Sequence, residues 1–208
     1  MSVGTKLLQA AAGNAGEAVY VDDVFSTFLY QGTSSAQNIV NGLDLNGEGG
    51  LVWVKGRPTT AESTYANSVT AFNNNGFSLG SDANGEANYS GSTYVSWSFR
   101  KAEKFFDIVS YTGDGTDNRA IAHNLGSVPG MILLKVTSHA DNWIVYHRSL
   151  GYTKLLRLNM TNAEYTQDRW GDQNPTSTQF YVDNNAECNQ SGYTYVAYLF
   201  GHNEAEYG

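Results

Sequence analysis

Side chains that could carry acid, nucleophilic or metal chemistry are scattered along the chain. The four histidines show no tight metal-ligand spacing; they are His123, His139, His147 and His202. His139 and His147 lie eight positions apart across a predicted strand, a poor arrangement for one zinc ion. The phosphate-binding GxxxxGK loop, the GxSxG elbow and the HExxH helix are absent from the sequence. We therefore predict no enzyme activity and no catalytic, cofactor-binding or metal-binding residues.

The carboxylates follow a pattern typical of turns rather than of a catalytic cleft. Four aspartates lie in stretches rich in Gly and Asn, where local hydrogen bonds favour Asp; these are Asp114, Asp117, Asp168 and Asp172. Asp22 and Asp23 precede the first predicted strand and are expected to form a turn or a cap. A DxDxDG calcium loop is absent. An acid pair formed only in space, as glycan hydrolysis needs, stays open at this point.

Aromatic residues beside polar ones are the remaining candidates for a contact site. Rings flanked by Asn, Asp and Gln suit stacking on sugars, with hydrogen bonds to hydroxyl groups. The candidate glycan or partner contacts are Trp143, Tyr146, Trp170, Tyr181 and Tyr193. The alternative is that the tryptophans belong to a core or an interface.

An internal repeat organises the chain that must position these residues. The stretch SGSTYVSWSF at 90–99 has a near-copy, SGYTYVAYLF, at 191–200. Outside it, Tyr30 matches Tyr111, and Lys55 matches Lys135 after four apolar residues in each copy. Because the order of features is preserved, we predict two tandem related β-sandwich modules, jelly-roll-like in form, with a short N-terminal arm.

Alternation and turn residues indicate β-strands in both copies. In TYVSWSFR, Val95, Trp97 and Phe99 share one face, and the second copy places Ala197 and Leu199 where the first has Ser96 and Ser98. The runs LVWV and MILL are predicted to be strands buried on both sides.

The first copy is shorter than the second. It lacks the segment DNWIVYHRSLGYTKLLRLNM, which is predicted to form two strands joined by a turn and followed by a long loop. A module without these strands exposes sheet edges, which must be paired or covered, so oligomerisation is expected. The predicted boundaries are an arm at 1–20 (docking or disordered), a shortened module at 21–104 and a complete module at 105–208.

Composition agrees with an all-β fold, and net charge limits the classes of partner. The chain of 208 residues has 15% charged and 13% aromatic residues, with 14 Tyr and 22 Gly, a composition rich in strand and turn formers. A net charge of −8 argues against nucleic-acid binding and anionic membranes. No apolar stretch is long enough for a membrane span. Cys188 is the only cysteine and is expected to be buried or half-buried.

Several strings together resemble a repeated domain of tailed-phage virion proteins, frequent in phages of cyanobacteria. They include VYVDDVFSTFLYQG, FFDIVSYTGDGT, HNLGSVPGMILLK, NWIVYHRSLG and TYVAYLFGHN. The resemblance implies a tail-fibre or other structural protein without catalytic residues or cofactors. Family chains are often longer than this one, and the first copy lacks its middle.

These observations lead to a functional expectation with alternatives. The resemblance implies a non-enzymatic virion protein, in a tail fibre or tail adaptor, that mediates assembly and host-surface contact. It would be assembled in the host cytoplasm as a homo-oligomer, with a trimer favoured, beside other virion proteins. One alternative is a capsid decoration protein. An alternative of another class is a lectin-like, carbohydrate-binding module or a glycan depolymerase, for which a host-surface glycan would be the ligand.

Overall fold

The computed structural model describes residues 20–55, 67–82 and 85–202. Within them the chain divides into two compact units, with unit 1 ending at Arg100 and unit 2 beginning at Lys101. Apart from Tyr20, the predicted N-terminal arm lies outside the described residues. The predicted module boundaries stay predictions.

Unit 1 contains two antiparallel sheets of three strands each. One sheet has the order β1-β6-β3 and the other the order β2-β5-β4. The strands are β1 (Phe25–Gln31), β2 (Gln37–Val40), β3 (Gly50–Lys55), β4 (Val69–Asn73), β5 (Gly76–Leu79) and β6 (Thr93–Arg100). Its buried core contains apolar residues from both sheets and from the turns, namely Tyr30, Ile39, Leu43, Leu45, Phe77, Leu79, Ala87 and Tyr94.

The described part of unit 1 also contains two single-turn helices, and in each an aspartate side chain near the first turn accepts hydrogen bonds from backbone N–H groups. In α1 (Val21–Val24), the Asp23 carboxylate accepts a hydrogen bond from the Tyr20 backbone N–H at 3.0 Å. The predicted turn or cap role of this aspartate is therefore confirmed. In α2 (Leu45–Glu48), the Asp44 side chain accepts from the backbone N–H groups of Asn46 and Gly47, which have no partner within the helix itself.

Unit 2 has a larger main sheet. Its six strands have the order β12-β11-β10-β9-β14-β7, and a second sheet pairs β13 with β8. The strands are β7 (Phe106–Thr112), β8 (Arg119–Ala122), β9 (Met131–Val136), β10 (Trp143–His147), β11 (Lys154–Arg157), β12 (Tyr165–Thr166), β13 (Gln179–Val182) and β14 (Thr194–Phe200). The predicted all-β fold is thus confirmed, and so are the two strands predicted between 141 and 160.

The same strand pairing occurs in both units. Tyr30 of β1 lies opposite Tyr94 of β6, and Tyr111 of β7 lies opposite Tyr195 of β14. The paired rings stack at 5.4 Å in unit 1 and 5.1 Å in unit 2. The hydroxyls of Tyr30 and Tyr111 donate to the backbone carbonyls of Ala87 and Cys188, respectively. Duplication and a sandwich form of each unit stay predictions.

One expectation about burial is wrong for the first copy. MILL lies in β9, an interior strand, and Ile132, Leu133 and Leu134 are buried. LVWV lies in β3, which pairs only with β6 among the described residues, and Trp53 is 44% exposed. The difference follows from position, because an edge strand lacks the neighbour that covers β9.

Candidate functional site

Two of the five predicted contact aromatics are core residues. Tyr146 and Trp170 are 2% and 1% exposed, and their rings meet edge to face at 5.7 Å. Both belong to the apolar core of unit 2. A sugar ring needs an accessible aromatic face, so these two side chains offer no stacking surface.

The other three predicted aromatics are half-buried, and each has its own neighbour. Trp143, at the start of β10, stacks on Tyr198 at 6.1 Å. Tyr193 stacks on the His139 ring at 3.6 Å. Tyr181, on β13, accepts a hydrogen bond from the Gln179 amide. Glycan contact by Trp143, Tyr181 and Tyr193 stays a prediction.

The sequence did not identify a pair of aspartates that the fold brings together. Asp168 and Asp183 share a hydrogen bond that, with partial burial and the Asp183 charge, raises the pKa of Asp168 to about 6. Burial opposes ionisation of Asp183. Hydrogen bonds from Asp168 and the backbone N–H groups of Asn118 and Gly171 nevertheless hold its pKa below the ordinary value. A hydrogen-bonded pair is closer than the roughly 5–9.5 Å that separates the carboxyl groups of glycosidases.

The remaining candidates for chemistry have local structural roles. Hydrogen bonds from the backbone and hydroxyl of Thr116 lower the pKa of Asp114 to about 2, which confirms its predicted turn role. Cys188 is buried, as expected, and burial raises the pKa of its thiol to about 12. Within residues 20–55, 67–82 and 85–202, no three His, Cys, Asp or Glu side chains cluster as metal ligands.

A buried ion network holds the segment that contains β10 and β11 of unit 2. Glu187, in the turn before β14, is 4% exposed. It accepts hydrogen bonds from Arg157 at 2.7 Å and from Arg169 at 3.0 Å. The Asn142 amide, just before β10, donates to the same carboxylate at 3.3 Å. One carboxylate thus joins the β10–β11 hairpin and the following loop to the β13–β14 turn.

The candidate contact surface is the outer face of unit 1. We give this name to the side of sheet β1-β6-β3 that points away from the unit 1 core. Strand register places apolar residues of all three strands on it, namely Phe25, Leu29, Leu51, Trp53, Val95, Trp97 and Phe99. None of them is buried, and Leu29 and Trp53 are 70% and 44% exposed. Contiguous exposed apolar surface is typical of interaction sites.

A separate groove lies in unit 1 beside sheet β2-β5-β4. Its volume is about 500 Å³, and its lining carries no charged side chain: Asn38, Val40, Asn46, Phe72, Asn73, Asn74, Asn75 and Ser78. The Ser78 hydroxyl donates to the side-chain amide oxygen of Asn38, and the Asn73 side-chain amide donates to the Ser78 hydroxyl. The groove is therefore neutral and rich in amide groups that can both donate and accept hydrogen bonds.

Comparison with protein families identifies one match. The family model described as a domain of unknown function (DUF7483) matches residues 58–205, well over half of the chain, which therefore belongs to that family. No curated protein sequence and no solved structure is significantly similar to the chain. No helix in the described part of the chain is long and apolar enough to cross a membrane.

Proposed function

We propose that this member of the DUF7483 family is a non-enzymatic structural protein of a phage virion. Its place would be in a tail fibre or tail adaptor, and it would act through protein–protein contact. The virion assignment rests on the sequence strings that resemble tailed-phage proteins. A capsid decoration protein would use the same kind of surface.

The observation that carries the contact role is the outer face of unit 1. Leu29 of β1, Trp53 of β3 and Trp97 of β6 place large apolar groups on one side of a single sheet. Buried aromatic and aliphatic anchors contribute most of the binding energy of protein interfaces. Covering this face in an assembly would remove apolar surface from water at roughly 25 cal/mol per Å². We therefore propose a homo-oligomer, with a trimer favoured.

The test is the mass in solution, measured by light scattering for the full chain and for a chain beginning at Ala18. We expect a defined oligomer in both cases. Replacing Leu29 and Trp53 together by lysine should produce a monomer that remains folded. Met160→Lys is the matched control, because Met160 is 44% exposed like Trp53 but lies in unit 2. A monomer at every concentration of the unaltered chain would overturn the self-assembly.

The virion location needs its own test. Antibodies raised against the chain should label tailed-phage particles in electron micrographs. Labelling at the tail supports the fibre or adaptor role, whereas labelling over the head supports the decoration alternative. Absence of the chain from purified particles would refute both.

A carbohydrate-binding role is a second candidate, supported by the amide-rich groove of unit 1. Neutral sugars present hydroxyl groups to amide donors and acceptors, and no lining side chain carries a charge. The test is a glycan array followed by calorimetry with Asn38→Ala and Asn73→Ala variants. Binding that both variants weaken supports this role; absence of any glycan ligand contradicts it.

A further inference from the structure

A glutamate of unit 1 occupies the position that Glu187 has in unit 2. The turn before β6 reads DANGEAN at 82–88, and the turn before β14 reads DNNAECN at 183–189, so Glu86 corresponds to Glu187. In both turns, a tyrosine hydroxyl of the following strand forms two hydrogen bonds with backbone groups of the turn. The Tyr94 hydroxyl accepts from the Tyr89 N–H and donates to the Gly85 carbonyl. The Tyr195 hydroxyl makes the corresponding two bonds in unit 2.

The two glutamates differ in their partners. In unit 2, Arg157 of β11 and Arg169 of the following loop neutralise Glu187. Both arginines belong to the segment between β9 and β13, which is longer than the segment between β3 and β5 of unit 1. In unit 1, one carboxylate oxygen of Glu86, Oε2, is buried, and the described residues supply no hydrogen-bond partner for it. Buried carboxylates are normally paired.

The described residues of the two units also differ in how the edges of β9 and β3 are paired. In unit 2, β9 pairs on one side with β14 and on the other with β10. Its counterpart β3 pairs with β6, and its second edge has no partner strand among the described residues. In unit 2, Lys135 of β9 lies opposite Trp143 of β10. The residue before Trp143 is Asn142, whose side-chain amide donates to Glu187. The residue of β3 that corresponds to Lys135 is Lys55. Lys55 lies opposite Val95, near the start of β6, and Glu86 lies in the turn that leads into β6. We therefore infer that the unpaired edge of β3 and Glu86 belong to the same end of the unit 1 sheet.

We propose that the free edge of β3 and the Glu86 carboxylate form a docking site for an arginine-bearing β-strand of another virion protein. The docked strand would extend the sheet through backbone hydrogen bonds, as β10 does in unit 2. Its arginine would occupy the position of Arg157 and donate to Glu86. This inference rests on the proposed contact role and names the chemistry of the partner.

Charge argues that the partner is not a second copy of this chain. The chain carries 20 acidic and 12 basic residues, for a net charge of −8. Among the described arginines, Arg119 pairs with Asp114, Arg157 and Arg169 pair with Glu187, and Arg100 donates to the Asp23 carbonyl. The exposed Arg148 lies in the turn after β10 and not in an extended strand. A basic extended segment from a different protein complements both the anionic chain and the Glu86 carboxylate.

The chain's own hairpin provides the probe for this site. A fluorescently labelled peptide, DNWIVYHRSLGYTKLLRL, reproduces residues 141–158 with β10, β11 and Arg157. Its binding to the full chain would be measured by fluorescence anisotropy. We expect saturable binding that Glu86→Gln weakens about tenfold or more, since a charged hydrogen bond is lost. Glu48→Gln, a change at an exposed glutamate of the same unit, should leave the affinity unchanged.

A second peptide isolates the arginine. The Arg157→Ala peptide should bind the unaltered chain and the Glu86→Gln chain with the same low affinity, because this peptide has no arginine to donate to Glu86. Hydrogen exchange should show new protection at Gly50–Lys55 when the first peptide binds. The thermal midpoint of free Glu86→Gln should not fall below that of the unaltered chain, since the buried Oε2 accepts no hydrogen bond from the described residues that the change could remove.

Several outcomes would overturn the proposal. One is the absence of saturable binding, and another is binding that Glu86→Gln leaves unchanged. Arg57 follows β3 by two positions in the sequence. If Glu86→Gln and Arg57→Ala each destabilised the free chain, the cation would belong to the same chain. If Glu86→Gln dissociated an oligomer that forms without peptide, the occupant would be a second copy. A failed peptide test with an intact oligomeric mass would refute this docking site alone and leave the proposed contact role standing.

Discussion

Glu187→Gln should strongly destabilise unit 2, because the Glu187 carboxylate pairs with both arginines of the buried ion network. Its Oε1 accepts from Arg157 Nε at 3.1 Å and Nη2 at 2.7 Å, and its Oε2 accepts from Arg169 Nε at 3.0 Å. Glutamine would present an NH2 group to guanidinium donors and leave both arginines without a counter-charge. Breaking a buried pair costs about 3–5 kcal/mol. The arginine side chains are 18% and 17% exposed, and partial hydration lowers our expectation to about 2–4 kcal/mol.

The assay is urea unfolding near pH 7, followed by fluorescence and compared with Glu164→Gln. Glu164 pairs with Lys154 of β11 at 2.8 Å, but both side chains are well exposed, so the control should change stability little. An unfolding midpoint for Glu187→Gln no lower than that of Glu164→Gln would refute the reasoning.

The pH dependence supplies a second check on Glu187. Burial opposes its ionisation, but hydrogen bonds from Arg169 and Asn142 and the charge of Arg157 lower its pKa below the ordinary 4.5. A lowered folded-state pKa contributes stability that is complete above about pH 4.5 and is lost as the pH falls through the folded value. The difference between the unaltered chain and Glu187→Gln should therefore shrink in acid.

Three further changes test the aspartate pair, the core of unit 2 and the hydrogen bonds of the Tyr195 hydroxyl. The folded-state pKa of Asp168, about 6, exceeds the ordinary 3.8, so its stabilising effect is complete below about pH 3.8 and is lost as the pH rises through 6. Asp168→Asn keeps a donor for Asp183 and cannot ionise. Thermal unfolding should therefore show a midpoint a few degrees higher at about pH 8 and unchanged at about pH 4, and equal shifts at both would contradict the pairing. Trp170→Phe should lower the free energy of unfolding by about 1–3 kcal/mol, as core truncations do; lost glycan binding at unchanged stability would assign Trp170 to a contact site instead. Tyr195→Phe removes the hydroxyl that bonds two backbone groups and should cost about 1–3 kcal/mol in urea unfolding; an unchanged midpoint would show that water replaces it.

Side-chain burial in unit 1 departed from what polarity alone would suggest. Ser96 and Ser98 of β6 are fully buried, whereas Trp97 between them is half-buried on the outer face. Burial of the serines is possible because Ser98 accepts a hydrogen bond from the Asn41 amide and Ser96 donates to the Phe28 carbonyl. Such partners come from distant parts of the chain and leave no local signal.

For the candidate sites as well, the sequence indicated some residues and only the packing decided their roles. The aromatics were found because they stand beside polar residues in the sequence, but only the packing of unit 2 assigns Tyr146 and Trp170 to its core. Asp168 was interpreted as a turn residue, and its pairing with Asp183 depends on a loop that folds back over β13. Comparing the two copies around Glu86 and Glu187 could have indicated the buried network in advance.

The sequence by itself determined the all-β class, the alternating strands and the hairpin of β10 and β11, because these follow from periodicity and turn residues close together along the chain. Tertiary structure alone decided which strand is an edge, which face of β6 is buried and which cation meets which carboxylate. Those outcomes depend on strands far apart in sequence lying about 5 Å apart in a sheet. An edge strand and an interior strand can have the same local pattern, and only the presence or absence of a neighbour distinguishes β3 from β9.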